Sequence, residues 1–293
     1  MILLTGATGF LGERVARHLI ADGHEVRCLV RATSDRSVLT GCAVQFAQGD
    51  LADEPSLVGA LEGCEALINV ASIGFGHGPG IVRAAEQTGV KRAIFFSTTA
   101  IFTTLPAQTK AVRTAAERAV MESRLNWTIL RPTMIYGSPR DRNMWRLIQY
   151  LRRFPAIPIP GDGTSLQQPV FVDDLAVATL AALGRETAIG KALNLAGAEP
   201  LSYNQVIDTI CGLLRTHVVK LHIPLRLALI GLTAYNALRR RAVLRSEQLL
   251  RLNEDKAFSI DEAQIHLGYQ PLTFREGIAR ELQAVRPRAG AAS

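Results

Sequence analysis

The sequence predicts an α/β fold: a doubly wound parallel sheet followed by a smaller C-terminal lobe. Two observations carry this. Short apolar runs alternate with helix-forming stretches at the spacing of βαβ units. The first run, Ile2 to Leu4, leads through a glycine-rich turn straight into an amphipathic helix that sets Val15, Ala16, Leu19 and Ile20 on one face. A chain of 293 residues, 48% hydrophobic and 20% charged, is long and apolar enough to bury a sizeable core.

The turn after the first strand holds Gly6, Gly9 and Gly12, spaced G-x-x-G-x-x-G. Gly6 permits the tight turn, Gly9 lets backbone approach phosphate, and Gly12 lets the helix pack close to the strand. The helix N-terminus offers free N–H groups and a partial positive charge. The arrangement is that of a dinucleotide pyrophosphate site, with Gly6, Thr8, Gly9, Phe10 and Leu11 as candidate contacts. His24 to Val30 reads as the second strand and ends at Arg31. Where an NAD site carries an acid for the ribose 2′-OH, an arginine suits a 2′-phosphate, so the expected cofactor is NADP (NADPH). Thr33, Ser34 and Arg36 follow and add candidate contacts, Ser34 foremost.

Val44 to Ala47 is a third strand, followed by Gly49-Asp50-Leu51, and a helix forms around Leu57 and Leu61. Ala66 to Val70 is the fourth strand and runs into Ala71 and Ser72. Gly74 to Gly80 reads as a mobile glycine-rich loop over the site. Its His77 is either solvated or a proton donor. Ile81 to Thr88 reads as a helix, Arg92 to Phe96 as the fifth strand, and Ala-rich Thr109 to Arg124 as a helix. Trp127 to Leu130 is the sixth strand, and the expected order is 3-2-1-4-5-6. On this reading residues 1–140 form the NADP-binding domain. Residues 141–285 form mainly a substrate lobe with returns to the sheet. Pro155 to Gly163 reads as a Pro/Gly loop, and the chain from about Val285 as a frayed end.

Thr5-Gly6-Ala7-Thr8-Gly9-Phe10-Leu11-Gly12 resembles the TGxxGxxG signature of extended and atypical short-chain dehydrogenases/reductases, and the likeness extends from Met1 to about residue 280. It implies a Rossmann-type sheet. It also implies that Asp50 and Leu51 lie against the adenine, an alternative or companion to Asp50 capping the helix after it. Asn69-Val70-Ala71-Ser72 is similar to the family's NxAx segment, which puts Val70, Ala71 and Ser72 under the cofactor ribose. Arg131-Pro132-Thr133-Met134-Ile135-Tyr136-Gly137 resembles the RPxxIYG turn, whose backbone near Pro132 and Thr133 faces the nicotinamide. Tyr136 reads there as structural. Gln168 to Ala176 resembles PVHVDDLA, which starts a helix with Asp173 and Asp174 as N-terminal caps. Leu267 to Ile278 resembles the closing LGYxP segment.

The family's hydride chemistry uses Ser/Thr, Tyr and Lys, with Tyr four residues before Lys. By resemblance Thr99 matches the Ser/Thr, with Thr98 beside it, and Lys110 matches the Lys and would hold the nicotinamide ribose. Pro106 stands where the tyrosine is expected. A kept lysine without its tyrosine looks like the atypical branch, which includes the short-chain-dehydrogenase-like accessory subunit of respiratory complex I. Two functions follow. One is an NADP-dependent oxidoreductase or epimerase acting on a small or lipid-like alcohol or ketone, or a sugar derivative. The other is a non-catalytic NADPH-binding scaffold or sensor.

The formal charge of +7 and pI near 9.6 favour anionic partners. No known nucleic-acid module is visible, so the expected partners are a phosphate-bearing cofactor and an acidic membrane surface rather than nucleic acid. Cys28, Cys42, Cys64 and Cys211 lack metal-type spacing and read as buried free thiols of a reducing compartment; no metal site is expected. No signal peptide is seen, and the expected location is cytoplasmic. Ile223 to Leu238 is almost wholly apolar and is followed by Arg239-Arg240-Arg241 and Arg245. A spanning helix needs about 20 apolar residues, more than this run supplies. Two readings stand: a buried or pocket-lining helix, or a helix lying in a membrane interface through 223–241, with each nearby arginine attracted to anionic lipid by roughly 1 kcal/mol.

Overall fold

A computed structural model of the chain describes residues 1–105, 108–238 and 246–285. The chain divides into two compact units. The first comprises Met1–Thr133, Val172–Leu195 and Ser259–Gln270; the second comprises Met134–Phe171, Ala196–Phe258 and the chain from Pro271 on. The chain thus returns to the first unit twice, once with a sheet strand and once with a helix alone.

In the first unit, β1 (Ile2–Thr5), α1 (Phe10–Ala21), β2 (Val26–Val30), β3 (Val44–Gln48), α2 (Glu54–Leu61) and β4 (Ala66–Asn69) build one half of the sheet. Next come α3 (Gly78–Gln87), β5 (Arg92–Phe96), α4 (Gln108–Met121) and β6 (Asn126–Pro132). The second unit then takes β7 (Ile135–Tyr136), α5 (Met144–Arg153), β8 (Ala156–Pro160), β9 (Leu166–Gln167) and β10 (Val170–Phe171). The chain goes back for α6 (Val172–Gly184) and β11 (Lys191–Leu195). It leaves again for β12 (Leu201–Ser202), α7 (Tyr203–Leu214), β13 (Val219–Ile223), α8 (Leu225–Leu238) and α9 (Ser246–Leu252), then adds α10 (Asp261–Leu267) to the first unit and α11 (Phe274–Ala284) to the second.

The large sheet has the order β3-β2-β1-β4-β5-β6-β11, with every neighbouring pair parallel. This is the order read from the sequence, extended by β11 beside β6. Central strands β1 and β4 are buried along their whole length, as strands covered on both faces must be. Leu3, Leu67, Phe95 and Ile129 meet helices α2 and α3 in one core cluster. The second unit has its own core, in which Tyr136 is fully buried between the edges of Phe171 and Phe274. Its hydroxyl donates to the Phe274 carbonyl at 3.4 Å. All four cysteines are free; Cys28, Cys64 and Cys211 are buried and Cys42 half-buried, and burial pushes the Cys28 thiol up to about 12.

Several sequence expectations change in three dimensions. Gly74–Gly80 is not a loop. Ile73–Phe75 forms a short 3-10 turn and Gly78 opens α3, with Pro79 in its first turn. The glycines serve packing here: a Cβ on Gly78 would sit 2.6 Å from the Ala116 Cβ of α4, and one on Gly74 2.9 Å from the Arg113 Nε. The Pro/Gly segment 155–163 contains β8, paired in parallel with β13. Ile157 and Ile159 alternate inward, and the Gly161 N–H donates to the Ile223 carbonyl at 2.8 Å, so the odd-numbered positions of β8 face the ladder and Pro158 and Pro160 need not donate to it. Asp50 does not cap α2; Asp53 stands at the N-cap position without a side-chain capping bond, and the Asp50 Oδ1 accepts from the Ala52 N–H at 2.9 Å. Asp173 and Asp174 lie inside the first turn of α6 rather than capping it, where their charge still suits the helix dipole. Asp173 faces Arg14 at 3.6 Å and His18 at 3.8 Å, joining α6 to α1. The apolar run of α8 is not buried: Leu227 is 59% and Ile230 65% exposed, and Leu232 alone among its described side chains is buried. Among the described residues no helix is long and apolar enough to cross a membrane. Pro106, Arg239, Arg240, Arg241, Arg245 and the end expected to fray beyond Val285 lie outside the described residues.

Candidate functional site

A cleft of about 220 Å³ opens in the first unit at the carboxyl ends of β1 to β4, where an open α/β sheet places its ligand. The floor is the glycine turn. Gly6 adopts φ +69°, a conformation that L side chains avoid, and a Cβ there would lie 2.8 Å from the Ala71 nitrogen. The Gly9 N–H closes the turn on the Gly6 carbonyl at 2.9 Å. Gly9 is also the N-cap of α1, so no side chain competes for the first-turn N–H groups. Gly12 lets α1 ride directly on the turn: a Cβ there would be 2.0 Å from the Gly6 oxygen. A cradle closed to any side chain, below uncapped N–H groups, fits a pyrophosphate.

Buried polar groups fix the opposite wall. Thr5 Oγ1 donates to Asn69 Oδ1 at 2.7 Å, and Asn69 Nδ2 donates to the Ala71 carbonyl at 2.9 Å. This ties the end of β4 to the end of β1 and sets Ala71 and Ser72 at the cleft. Beyond β2, the Arg31 N–H donates to Ser34 Oγ at 3.1 Å, and the Ser34 N–H returns to the Arg31 carbonyl at 3.0 Å. The turn presents the exposed Arg31 and the half-buried Ser34 to the same cleft. Arg36 is directed elsewhere, with its guanidinium 5.1 Å over the Phe46 ring. Beyond β3, the Ser56 hydroxyl accepts from the Asp50 N–H at 3.1 Å, which sets Asp50 and Leu51 along the rim.

The structure thus brings Gly6, Thr8, Arg31, Ser34, Asp50, Leu51, Ala71 and Ser72 to one cleft. Thr5, Leu29, Gly49 and Phe75 line it as well, and sequence reasoning missed them. The 75%-exposed ring of Phe75 sits next to Gly76, whose φ of +90° turns the chain. No periodic or motif signal marks that phenylalanine. His77 also lines the cleft, half-buried, at the start of α3. Gly9, Phe10, Leu11, Val70, Thr99, Lys110, Pro132 and Thr133 are not among its lining residues. Of these, the Leu11 side chain is buried in the core, so only its backbone is free to serve a ligand.

Thr99 is buried at the end of β5, with its hydroxyl directed at the Pro132 carbonyl at 3.4 Å. Lys110 stands in the first turn of α4, and its Nζ donates to the Thr103 carbonyl at 2.6 Å. The lysine therefore clasps the turn that carries Thr99. One further pair, invisible in the sequence pattern, fixes the same helix. Arg131 makes a two-pronged bond to Glu117, Nε to Oε1 at 3.0 Å and Nη2 to Oε2 at 2.6 Å, almost fully buried. Glu117 lies seven residues after Lys110, on the same helix face. The Arg131 guanidinium also covers the Phe102 ring at 5.3 Å. Among the described residues no cluster of His, Cys, Asp or Glu is arranged to hold a metal ion.

With this geometry in view, comparisons with known proteins are informative. The profile of a family described as NAD(P)H-binding matches residues 6–154. The chain is 27% identical to an Arabidopsis thaliana mitochondrial NADH dehydrogenase [ubiquinone] 1 alpha subcomplex subunit 9, over 87% of the chain and 69% of that protein. It is 31% identical to a ceramide reductase of Caulobacter vibrioides, over 65% of the chain and 62% of that protein. Its fold matches an NADPH-dependent quinone oxidoreductase of Escherichia coli with a TM-score of 0.76, 20% identity, and 95% and 98% of the two chains covered.

Proposed function

The chain belongs to the NAD(P)H-binding family, as an extended, atypical short-chain dehydrogenase/reductase, and from that premise we propose that it is an NADPH-dependent reductase of a small or lipid-like carbonyl compound. The observation that carries the cofactor choice is the exposed Arg31 at the cleft, fixed by its backbone bond to Ser34. A guanidinium there offers a fork of donors to a 2′-phosphate. The ceramide reductase relative supports a lipid-like substrate. Bound NADPH would supply the hydride. The protein's own residues hold the pyrophosphate at Gly6 to Leu11, the 2′-phosphate at Arg31 and Ser34, and the adenine at Asp50 and Leu51. The Thr99 turn would orient the substrate oxygen, and His77, which lines the cleft, is a ring able to pass a proton.

The test is a titration of NADPH and NADH against wild type and Arg31→Ala. Wild type should prefer NADPH, and the variant should lose most of that preference. A lost charge-assisted bond to phosphate is worth about 1.5–3 kcal/mol, roughly ten- to a hundredfold in Kd. Equal affinities in wild type would sink the assignment.

Lys110 has the second role to test. Lys110→Ala should weaken NADPH binding by about 1–3 kcal/mol, since it removes the ribose-holding ammonium and frees the Thr103 carbonyl that it clasps. Calorimetric titration reads this directly. Unchanged binding with turnover abolished would instead make Lys110 part of a working proton relay. A scaffold or sensor that binds NADPH without turnover is the second reading, favoured by proline in place of tyrosine at position 106. NADPH consumption with long-chain ketones separates the two.

A further inference from the structure

We infer that the β13–α8 segment of the second unit is a docking surface for an anionic lipid bilayer. The inference deepens the lipid-like substrate reading and rests on it only for its biological sense. Three independent observations meet at this segment.

The first is exposure. On α8, Leu227 and Ile230 lie three residues apart on one helical face, 59% and 65% exposed, with Tyr235 at 41% along the same helix. Immediately before it, Val219 and Leu221 project from the same side of β13, each about half exposed. Exposed large aliphatics in a row are unusual for a surface that meets water alone.

The second is continuity. The Val219 N–H donates to the Pro155 carbonyl at 2.9 Å, which brings Phe154 beside the start of β13. Phe154 is 45% exposed, and the Arg153 guanidinium stands 5.8 Å over its ring. The exposed row of β13 thus continues, at the end away from α8, into an aromatic ring with a cation against it.

The third is charge. Residues 209–246 contain Arg215, Lys220, Arg226, Arg239, Arg240, Arg241 and Arg245 and no Asp or Glu. The chain has 33 Lys and Arg against 26 Asp and Glu, so removing these seven leaves 26 against 26. The whole excess of +7 belongs to the stretch that carries the exposed aliphatics. Asp208, one residue ahead, pairs with Lys220 at 2.7 Å. A second copy of this chain would bring the same basic stretch of sequence against itself, which like charges oppose. Nucleic acid would use the cations but gains little from leucine and isoleucine, since its bases stack on aromatic rings. A bilayer interface takes both: aliphatics enter the acyl boundary while cations stay at anionic headgroups.

The test is co-sedimentation of the full chain with vesicles of phosphatidylcholine, alone or mixed with phosphatidylglycerol. Binding should need the anionic lipid and weaken as salt is raised. Leu227→Asp with Ile230→Asp should lower the bound fraction at least about tenfold, because apolar burial is replaced by repelled charge. Val177→Asp, at a 57%-exposed position on α6, should leave binding unchanged. No sedimentation with anionic vesicles, or sedimentation indifferent to the Leu227/Ile230 change, overturns the surface. So does a lipid-free rise in mass with concentration that the double change abolishes, which would assign the face to a second copy. NADPH titration of the same preparations separates the two readings. Intact cofactor binding without sedimentation removes the surface alone, and sedimentation without cofactor binding removes the reductase reading alone.

Discussion

Gly12→Ala should abolish NADPH binding and lower the melting temperature, while Gly59→Ala should raise it. Both changes add one methyl group to a helix. At Gly12 the new Cβ would lie 2.0 Å from the Gly6 oxygen, 2.7 Å from the Gly6 carbonyl carbon and 2.9 Å from the Ala7 Cα, all backbone atoms that no rotamer change can move. The N-terminus of α1 must retreat from the turn. Overpacking of this kind costs about 1–3 kcal/mol or more, and a domain of this size loses about 2–4 °C per kcal/mol. Retreat also carries the uncapped N–H groups away from the pyrophosphate, so Kd should rise at least about a hundredfold, or ~2.7 kcal/mol. At Gly59, in α2, a Cβ meets nothing within 4 Å. Alanine there gains the helix-propensity difference of about 1 kcal/mol. A thermal melt and a cofactor titration on each variant check both signs. Gly12→Ala binding within threefold of wild type would overturn the assignment of the turn.

That turn was legible in the sequence because its constraints are local. Gly6 needs a left-handed backbone and Gly12 needs closeness to its own preceding turn, both within a dozen residues. Arg31 and Ser34 were legible for the same reason, since one short turn holds both. Strand order followed because each βα unit carries its own period. The errors arose where one residue type serves two purposes. Gly74 and Gly78 look like loop glycines, yet they are helix-packing glycines whose partners, Arg113 and Ala116, are more than thirty residues away. Prolines at 155, 158 and 160 hide a strand whose inward residues, Ile157 and Ile159, complete a core. The Glu117–Arg131 fork, the Phe75 wall and the returns of the chain at 172–195 and 259–270 depend on contacts between distant segments, on which periodicity is silent. The apolar run 223–238 left two readings open because its composition is the same whether or not it faces a core; exposure shows that it does not line one.

Raising the pH from 5 to 8 should destabilise the wild type more than Glu281→Gln. Glu281 on α11 is wholly buried, and neither carboxyl oxygen has a hydrogen-bond partner of ordinary geometry. Its neighbour is Asp141, also buried, whose Oδ1 accepts the N–H groups of Asn143 and Trp145 at 3.1 and 3.0 Å. Burial first, then the nearby Asp141 carboxyl, push Glu281 up to about 8 from an ordinary 4.5. The native state therefore keeps a proton that the unfolded chain gives up. Stability is fully present below the unfolded value of 4.5 and is lost as pH rises through the folded value near 8. Each pH unit within that window removes at most about 1.4 kcal/mol, so the whole loss is on the order of a few kcal/mol. Glutamine keeps the shape and a donor toward Asp141 but has no proton to lose. Its melting temperature should stay nearly level across the window and exceed the wild type at pH 8. Asp141 and Glu281 stand 140 residues apart in sequence and meet only because α11 folds back against α7 and β10 within the second unit. Melting curves of the two proteins that run parallel from pH 5 to 8 would show that no shared proton holds them together.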